Sequence, residues 1–310
     1  MSGVLVRLPN WIGDAVLALP AIGLLQQHGL QPVLVGKGWA GALLRGTGWP
    51  LHRYPASMAE RVRLLRRLRP QTQPRALCLP NSISSAIELR LGGFAPVGYR
   101  KEGRRPLLAD SLPLPGDTVH ELQRHWQLAC RLLDLQLPAP ACSQLPLAEA
   151  DRQAAAARLR AAGVHGDYLV VAPFAASDFA GGGKKWPQFP AFTAWAMQHF
   201  QRPVVVCPGP GEAAALTGQP PGLVVLADVD LGVYAAVLAA AALVVANDTG
   251  PGHIAAAVGA PLVSVLGPSR PEVHGSLGPR VTWVHDPVWP GLRQVCEAAE
   301  ARWAGTGRGR

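Results

Sequence analysis

Cysteine is scarce and unpatterned in this chain of 310 residues. There are five cysteines, and they form neither a CxxC pair nor any other metal-ligand spacing. An odd number of scattered cysteines does not build a disulfide framework, so we expect reduced thiols in a cytosolic protein. The same spacing predicts no structural metal site.

Long uncharged apolar runs are missing as well. No run reaches the roughly 18 residues that a helix needs to cross a bilayer. The N-terminal segment is apolar enough to resemble a signal peptide, but Asn10, Gly13 and Asp14 interrupt it and no small-residue cleavage site follows. We therefore expect a cytoplasmic protein without a membrane span.

Two nucleotide-binding motifs do not occur. Residues 181–185 read GGGKK, yet the Walker A spacing of a P-loop is lacking. No GxGxxG follows the first apolar run, which argues against an enzyme that uses a nicotinamide or flavin cofactor. The D-x-D sequence at residues 228–230 has the form found in metal-dependent sugar transferases. It precedes a helix, however, where Asp230 serves more simply as the N-cap.

Acidic residues are outnumbered by basic ones. Asp and Glu total 20 against 29 Lys and Arg, a formal net charge of +9. This excess favours an acidic partner, whether nucleic acid, anionic lipid or a phosphorylated small molecule, although composition alone can produce it without any binding role. RNA is disfavoured, because no RNA-binding motif occurs and few aromatic residues lie near the arginine clusters.

The remaining pattern is that of two α/β domains. Apolar residues make up 49% of the chain, and buried strands alternate with helices and polar turns in both halves. Pro20 is expected to kink or split the first helix, residues 15–27. The proline-rich segment 137–147 reads as a linker, so we place a first domain at 1–147 and a second at 148–310. The sequence leaves open whether the terminal helix, residues 294–303, packs back on the first domain.

Residues 244–270 form the most informative stretch. An apolar strand ends in the turn NDTGPG, and an alanine-rich helix begins at once. The unpaired N–H groups and positive dipole at such a helix start bind phosphate or diphosphate, which Gly250 and His253 can approach. The open alternative is an ordinary strand-to-helix turn capped by Asp248 or Thr249.

Two features of the first half also admit two readings. Asp14 follows the first strand, at the sheet edge where such folds bind ligands, but it is equally suited to the first turn of a helix. Residues 60–69 form a basic amphipathic helix whose Arg63, Arg66 and Arg67 share one face. A solvated face is the ordinary interpretation, yet arginines this dense repel one another unless an anion lies nearby.

Five segments resemble one enzyme family. They read NWIGDAVLALPAI, LPNSISSAIELRLGGFAPVGYR, KKWP, PGPGE and NDTGPGHIAAAVGAPLVSVLGPSRPE, and they span roughly residues 3–275. Together they are similar to the ADP-heptose:lipopolysaccharide heptosyltransferases of glycosyltransferase family 9, most closely the heptosyltransferase II type. The resemblance implies an inverting glycosyltransferase of GT-B architecture, with two Rossmann-like, doubly wound domains facing across a cleft.

The resemblance also assigns residues. It makes Asp14 the general base on the acceptor hydroxyl, in an N-terminal acceptor-binding domain. It assigns binding of the nucleotide sugar to a set of residues in the C-terminal domain, namely Lys184, Glu212, Asp248, Thr249, Gly250 and His253. The acceptor is expected at polar and basic residues of the first half, namely Arg61, Arg63, Arg66, Asn81 and Arg100.

Partners and location follow from the same resemblance. The donor is expected to be ADP-heptose and the acceptor a phosphorylated, Kdo-containing lipopolysaccharide core, which requires peripheral contact with the inner face of the cytoplasmic membrane. No cofactor is expected to be required, magnesium assistance stays open, and no nucleic acid is expected. The alternatives are a sibling enzyme with another nucleotide sugar or acceptor, and a non-catalytic nucleotide-sugar-binding protein.

Overall fold

The computed structural model describes residues 2–101, 103–175, 178–179, 182–212, 216 and 218–305. Contacts divide the chain into two compact units, Met1–Ser143 and Gln144–Arg310. The division falls inside the proline-rich segment at residues 137–147.

The first unit is built on a six-stranded parallel sheet. Its strands follow one another in the spatial order β3-β2-β1-β4-β5-β6. Their bounds are β1 Ser2–Arg7, β2 Leu30–Gly36, β3 Leu51–Arg53, β4 Thr72–Cys78, β5 Ala95–Arg100 and β6 Asp110–Pro113. β3, β5 and β6 were not predicted as strands, since each is short or carries Gly or Pro. Arg100, expected in a loop, is therefore the last residue of β5.

Six α-helices accompany this sheet among the described residues. They are α1 Ile12–Leu17, α2 Leu19–Gln27, α3 Trp39–Leu43, α4 Met58–Leu68, α5 Ile83–Leu91 and α6 Glu121–Leu133. Pro20 lies in the first turn of α2, where its missing N–H costs nothing, so the predicted split of the first helix is confirmed.

The second unit repeats the arrangement. Its main sheet has the order β11-β10-β7-β12-β13-β14, again with parallel neighbours. The strands are β7 Leu169–Ala172, β8 Asp178–Phe179, β9 Gly182–Gly183, β10 Val204–Val206, β11 Val224–Val225, β12 Leu243–Asn247, β13 Leu262–Leu266 and β14 Val281–His285. β8 and β9 form a separate antiparallel pair. Leaving that pair aside, the strand order by appearance is the same in both units and is that of a Rossmann fold.

The helices of the second unit cover both the sheet and its ends. They are α7 Glu149–Ala161, α8 Phe189–Phe200, α9 Leu231–Ala240, α10 Gly250–Ala257, α11 Pro271–His274 and α12 Leu292–Ala304. Asp230 caps α9 as expected, its Oδ1 accepting from the amides of Gly232 and Val233. α12, the terminal helix, buries Val295 and Ala299 completely in the core of its own unit.

The two sheets fix where ligands can bind. In a parallel sheet all strands end at the same edge, so the loops that follow them meet there. In the first unit this edge carries the starts of α1, α4 and α5, and in the second it carries the start of α10. The predicted site residues therefore gather at one edge of each sheet.

Candidate active site

Helix α4 directs its arginines away from the core. Leu64, Leu65 and Leu68 are buried, while the side chain of Ser57 caps the helix by accepting a hydrogen bond from the amide of Glu60 at 3.3 Å. The apolar stripe thus anchors the helix on the sheet, and the predicted basic face is left exposed.

That face lines a large cavity, which we call the basic pocket. It has a volume of about 1050 Å³ and lies at the strand-end edge of the first sheet. Two carboxylates, Glu60 and Glu88, line it together with a larger number of cations. These cations are Arg7, Lys37, Arg53, Arg61, Arg63, Arg66 and Arg67. Seven positive and two negative side chains make it a site for an anion with several charges.

A buried hydrogen-bonded group organises part of the basic pocket. The Glu88 carboxylate accepts from the Tyr54 hydroxyl at 2.5 Å and from Arg61 Nη1 at 2.8 Å. The guanidinium carbons of Arg7 and Arg61 lie 4.1 and 5.0 Å from the centre of the Tyr54 ring. Burial, and then the hydrogen bond to Glu88, raise the pKa of Tyr54, so its hydroxyl stays a proton donor.

Two predicted acceptor residues lie outside the lining of this pocket. Asn81 accepts through Oδ1 from Arg104 Nη2 at 3.1 Å, and Arg104 is fully buried. Arg100 donates to Ser111 on the neighbouring strand, at 3.1 Å to Oγ and 3.2 Å to the carbonyl. Arg61, Arg63 and Arg66 do line the pocket.

Asp14 lies in the first turn of α1, directly after the loop that follows β1. Trp11 precedes the helix without a side-chain cap and exposes 56% of its surface. Asn10 of the same loop lines the basic pocket and accepts from Arg7 Nη2 at 2.8 Å. The loop that directly precedes α1 and Asp14 therefore lies at the sheet edge that carries the basic pocket.

In the second unit the NDTGPG turn opens α10. Thr249 is the N-cap but makes no side-chain capping bond to the helix, which leaves its first turn available to an anion. His253 is buried in that turn, and its Nε2 lies 3.9 Å from Asp248 Oδ1. Neither Asp248 oxygen has a hydrogen-bond partner among the described residues. At Gly252 an added Cβ would lie 3.1 Å from the Asn247 carbonyl oxygen, so a larger residue would require the turn to shift slightly.

Asn247 connects the NDTGPG turn to the glycine-rich segment at residues 173–187. Its Oδ1 accepts from the Trp186 amide at 3.0 Å, and its Nδ2 donates to the Pro173 carbonyl at 2.9 Å. Trp186 is buried and donates through Nε1 to the Pro290 carbonyl at 2.9 Å. Lys184 lies two residues before this anchor. Residues 176–177 and 180–181, which belong to the glycine-rich segment 173–187, lie outside the described part of the chain.

Glu212 follows β10 in a tight turn of its own. Its Oε2 accepts from the Gly209 amide at 2.8 Å, and its amide donates to the Gly209 carbonyl at 3.0 Å. β10 neighbours β7, and β7 neighbours β12, so Glu212 lies at the same edge of the sheet as the start of α10.

Sequence reasoning missed Asn247, Tyr54 and Glu88 as organising residues. Asn247 belongs to the quoted turn, but its partners come 61 and 74 residues earlier. Tyr54 and Glu88 are 34 residues apart and carry no local signal. Within the described part of the chain, no helix is both long and apolar enough to span a bilayer, and no three His, Cys, Asp or Glu residues cluster as metal ligands.

Two Rossmann-like units of this kind make up the GT-B fold of nucleotide-sugar-dependent glycosyltransferases. The profile of glycosyltransferase family 9 (heptosyltransferase) matches residues 61–302, and the chain belongs to that family. It is thus a glycosyltransferase, as predicted. No curated protein matches the chain.

Solved structures show the same fold over almost the whole length. ADP-heptose LPS heptosyltransferase II of E. coli is 24% identical, with a TM-score of 0.82 over 99% of this chain and 100% of that one. A family 9 glycosyl transferase from Veillonella parvula is 16% identical, with a TM-score of 0.85 over 98% and 97%. E. coli heptosyltransferase WaaC with ADP is 20% identical, with a TM-score of 0.75 over 97% and 99%.

Proposed function

We propose that the protein transfers heptose from ADP-heptose to the inner core of lipopolysaccharide, with inversion at the anomeric carbon. Asp14 is the general base, the first unit binds the acceptor, and the second binds the donor. The basic pocket is the observation that carries this proposal. A phosphorylated, Kdo-containing core presents several anionic groups, and seven basic side chains line the pocket against two acidic ones.

The donor is assigned to the start of α10. When the glycosidic bond to ADP breaks, negative charge builds on the leaving diphosphate. Free N–H groups at the helix start stabilise that charge, and His253 in the first turn adds a donor. Lys184 lies two residues before Trp186, whose amide bonds to Asn247 of that turn, and we assign it a positive charge beside the diphosphate. Glu212, farther along the edge, is assigned to the ribose hydroxyls.

The acceptor hydroxyl needs help to react. A neutral hydroxyl is a poor nucleophile, and a carboxylate within hydrogen-bonding reach takes its proton as the new bond forms. We assign this step to Asp14, which lies at the same sheet edge as the basic pocket. The proton moves from the hydroxyl to the Asp14 carboxylate while the anomeric carbon passes from ADP to the acceptor oxygen.

The acceptor also sets the proposed location. A lipid-anchored substrate at the inner face of the cytoplasmic membrane requires the enzyme to work there, and a net charge of +9 favours a peripheral, electrostatic contact. We propose no metal requirement, and an unchanged rate in EDTA is the expected result.

Mass spectrometry of the product tests the function. Purified full-length protein is mixed with ADP-heptose and a heptose-deficient core, and a product heavier by one heptose is expected, with NMR establishing the inverted anomeric configuration. ADP-glucose, UDP-sugars and GDP-sugars are run in parallel. Transfer from one of those instead would identify a sibling enzyme, and donor binding without any product would identify a non-catalytic binding protein.

A further inference from the structure

Attraction of an anionic ligand does not explain why the basic pocket contains the acidic residue Glu88. Its side chain is 3% exposed, and it lines a pocket otherwise dominated by cations. A carboxylate there lowers the attraction of the basic pocket for an anionic acceptor. Its position is explained by its contacts, since both of its oxygens accept hydrogen bonds, from the Tyr54 hydroxyl and from Arg61.

Those contacts hold Arg61 in one geometry. Its Nη1 donates to Glu88 at 2.8 Å, its Nε to the Pro55 carbonyl at 2.7 Å, and its Nη2 to the Ala56 carbonyl at 2.9 Å. A guanidinium has five N–H bonds. The contacts within the described residues use one on each nitrogen, so one on each terminal nitrogen remains for a ligand. These two N–H bonds can donate to the oxygens of a carboxylate or phosphate.

Two other arginines of the helix differ in this respect. Arg63 and Arg67 are exposed and lie on the same basic face of α4. Such side chains lose rotamer entropy when a ligand fixes them, whereas Arg61 is already fixed before the ligand arrives. Tyr54 extends the arrangement, because its ring contacts the guanidinium of Arg7 as well as that of Arg61.

We propose that Tyr54 and Glu88 are positioning residues that hold Arg61, with Arg7 beside it, as a preorganised anion clamp for the acceptor. This inference rests on the proposed role of the basic pocket as the acceptor site. The clamp orients one carboxylate or phosphate of the acceptor, while the exposed arginines contribute attraction without fixed direction. Tyr54 and Glu88 act through Arg61 and do not touch the acceptor.

Because Glu88 is charged, its replacement can distinguish an electrostatic effect on the acceptor KM from a positioning effect. Glu88→Gln removes a negative charge from the pocket, so electrostatics alone would lower the KM for the acceptor. Loss of the positioning of Arg61 would instead raise the acceptor KM. We expect an increase of about tenfold in the acceptor KM for Glu88→Gln and about threefold for Tyr54→Phe, with the donor KM unchanged. An unchanged or lowered acceptor KM in Glu88→Gln would overturn the inference.

A double-mutant cycle separates positioning from general structural support. Arg61→Lys keeps the charge but loses the guanidinium fork. If Glu88 acts through Arg61, Glu88→Gln has little further effect on the acceptor KM in the Arg61→Lys background. Additive effects would contradict the proposal. Should Glu88→Gln fail to fold, as judged by thermal melting, Tyr54→Phe removes a single oxygen and decides the question by the same kinetic measurement.

Arg63→Ala distinguishes this inference from the proposed function beneath it. Arg63 is an exposed member of the same pocket, and its loss should raise the acceptor KM by roughly threefold if the acceptor binds there. A raised KM in Arg63→Ala with unchanged kinetics in Glu88→Gln and Tyr54→Phe would overturn the clamp alone. No change in any of the three variants would overturn both the clamp and the assignment of the pocket.

Discussion

The side-chain oxygen of Asn247, at the end of β12, accepts a hydrogen bond from the backbone amide of Trp186 at 3.0 Å. One side chain thereby joins the NDTGPG turn to the loop that carries Lys184. Asn247 is fully buried, so neither this bond nor its second bond to the Pro173 carbonyl can be replaced by water.

Asn247→Ala should both destabilise the second unit and weaken donor binding. The change leaves a buried amide and a buried carbonyl without partners, at a cost of about 2–4 kcal/mol. Chemical denaturation measures the stability, and initial rates at varied ADP-heptose should show a raised donor KM. Asp230→Ala is the control, because it removes the cap of α9 at about 1 kcal/mol and should leave the donor KM alone. Equal donor KM values in the two variants would contradict the anchoring role.

Lys184→Ala should raise the donor KM about tenfold and lower kcat, because a positive charge beside the diphosphate is lost as the leaving group develops charge. Lys185→Ala is the matched control. It removes an adjacent and more exposed lysine of the same charge, and its kinetics should stay within about twofold of the parent. Steady-state rates with ADP-heptose as the varied substrate distinguish the two, and similar losses in both would speak for a general charge effect.

Asp14→Asn should lower kcat by about 10²–10⁴-fold while both KM values change little, because the amide cannot take up the acceptor proton. A carboxylate that served only the first turn of α1 would instead contribute about 0.3–1 kcal/mol of stability and nothing to kcat. Glu149→Gln, in the first turn of α7, supplies that comparison. If Asp14→Asn retained the parental kcat, the general-base assignment would be wrong.

His125 should make the first unit sensitive to acid. Burial, followed by the charges of Arg124 and His120, lowers the pKa of His125 from 6.5 to about 4. A group with a lowered pKa binds fewer protons when folded, so its neutral form stabilises the fold above pH 6.5. That contribution decreases as the pH falls from 6.5 to 4. Between pH 7 and pH 5 the loss should be about 2 kcal/mol.

Amide hydrogen exchange in α6 at the two pH values measures this loss within the first unit, independently of unfolding in the second. His125→Leu should remove most of the difference. Both ring nitrogens lack a hydrogen-bond partner among the described residues, so the substitution should not destabilise the protein at pH 7. An identical pH dependence in His125→Leu would assign the acid sensitivity to other groups.

The sequence by itself determined the two-domain α/β architecture and the turn between β12 and α10. Both are local in origin. Buried parallel strands read as apolar runs, and the NDTGPG turn, the helix after it and the basic stripe of α4 lie within a few residues of one another. Even the split at Pro20 follows from the chemistry of a single residue.

Tertiary structure alone decided which charges share a site. Arg7, Lys37, Arg53 and Arg61 come together because β1, β2 and β3 are neighbours in the sheet, a pairing that no local pattern encodes. Asn81 and Arg100, predicted as acceptor residues together with Arg61, contact Arg104 and Ser111. A long polar side chain contacts whichever partner the packing leaves within its reach, and strand order, not sequence distance, sets that choice.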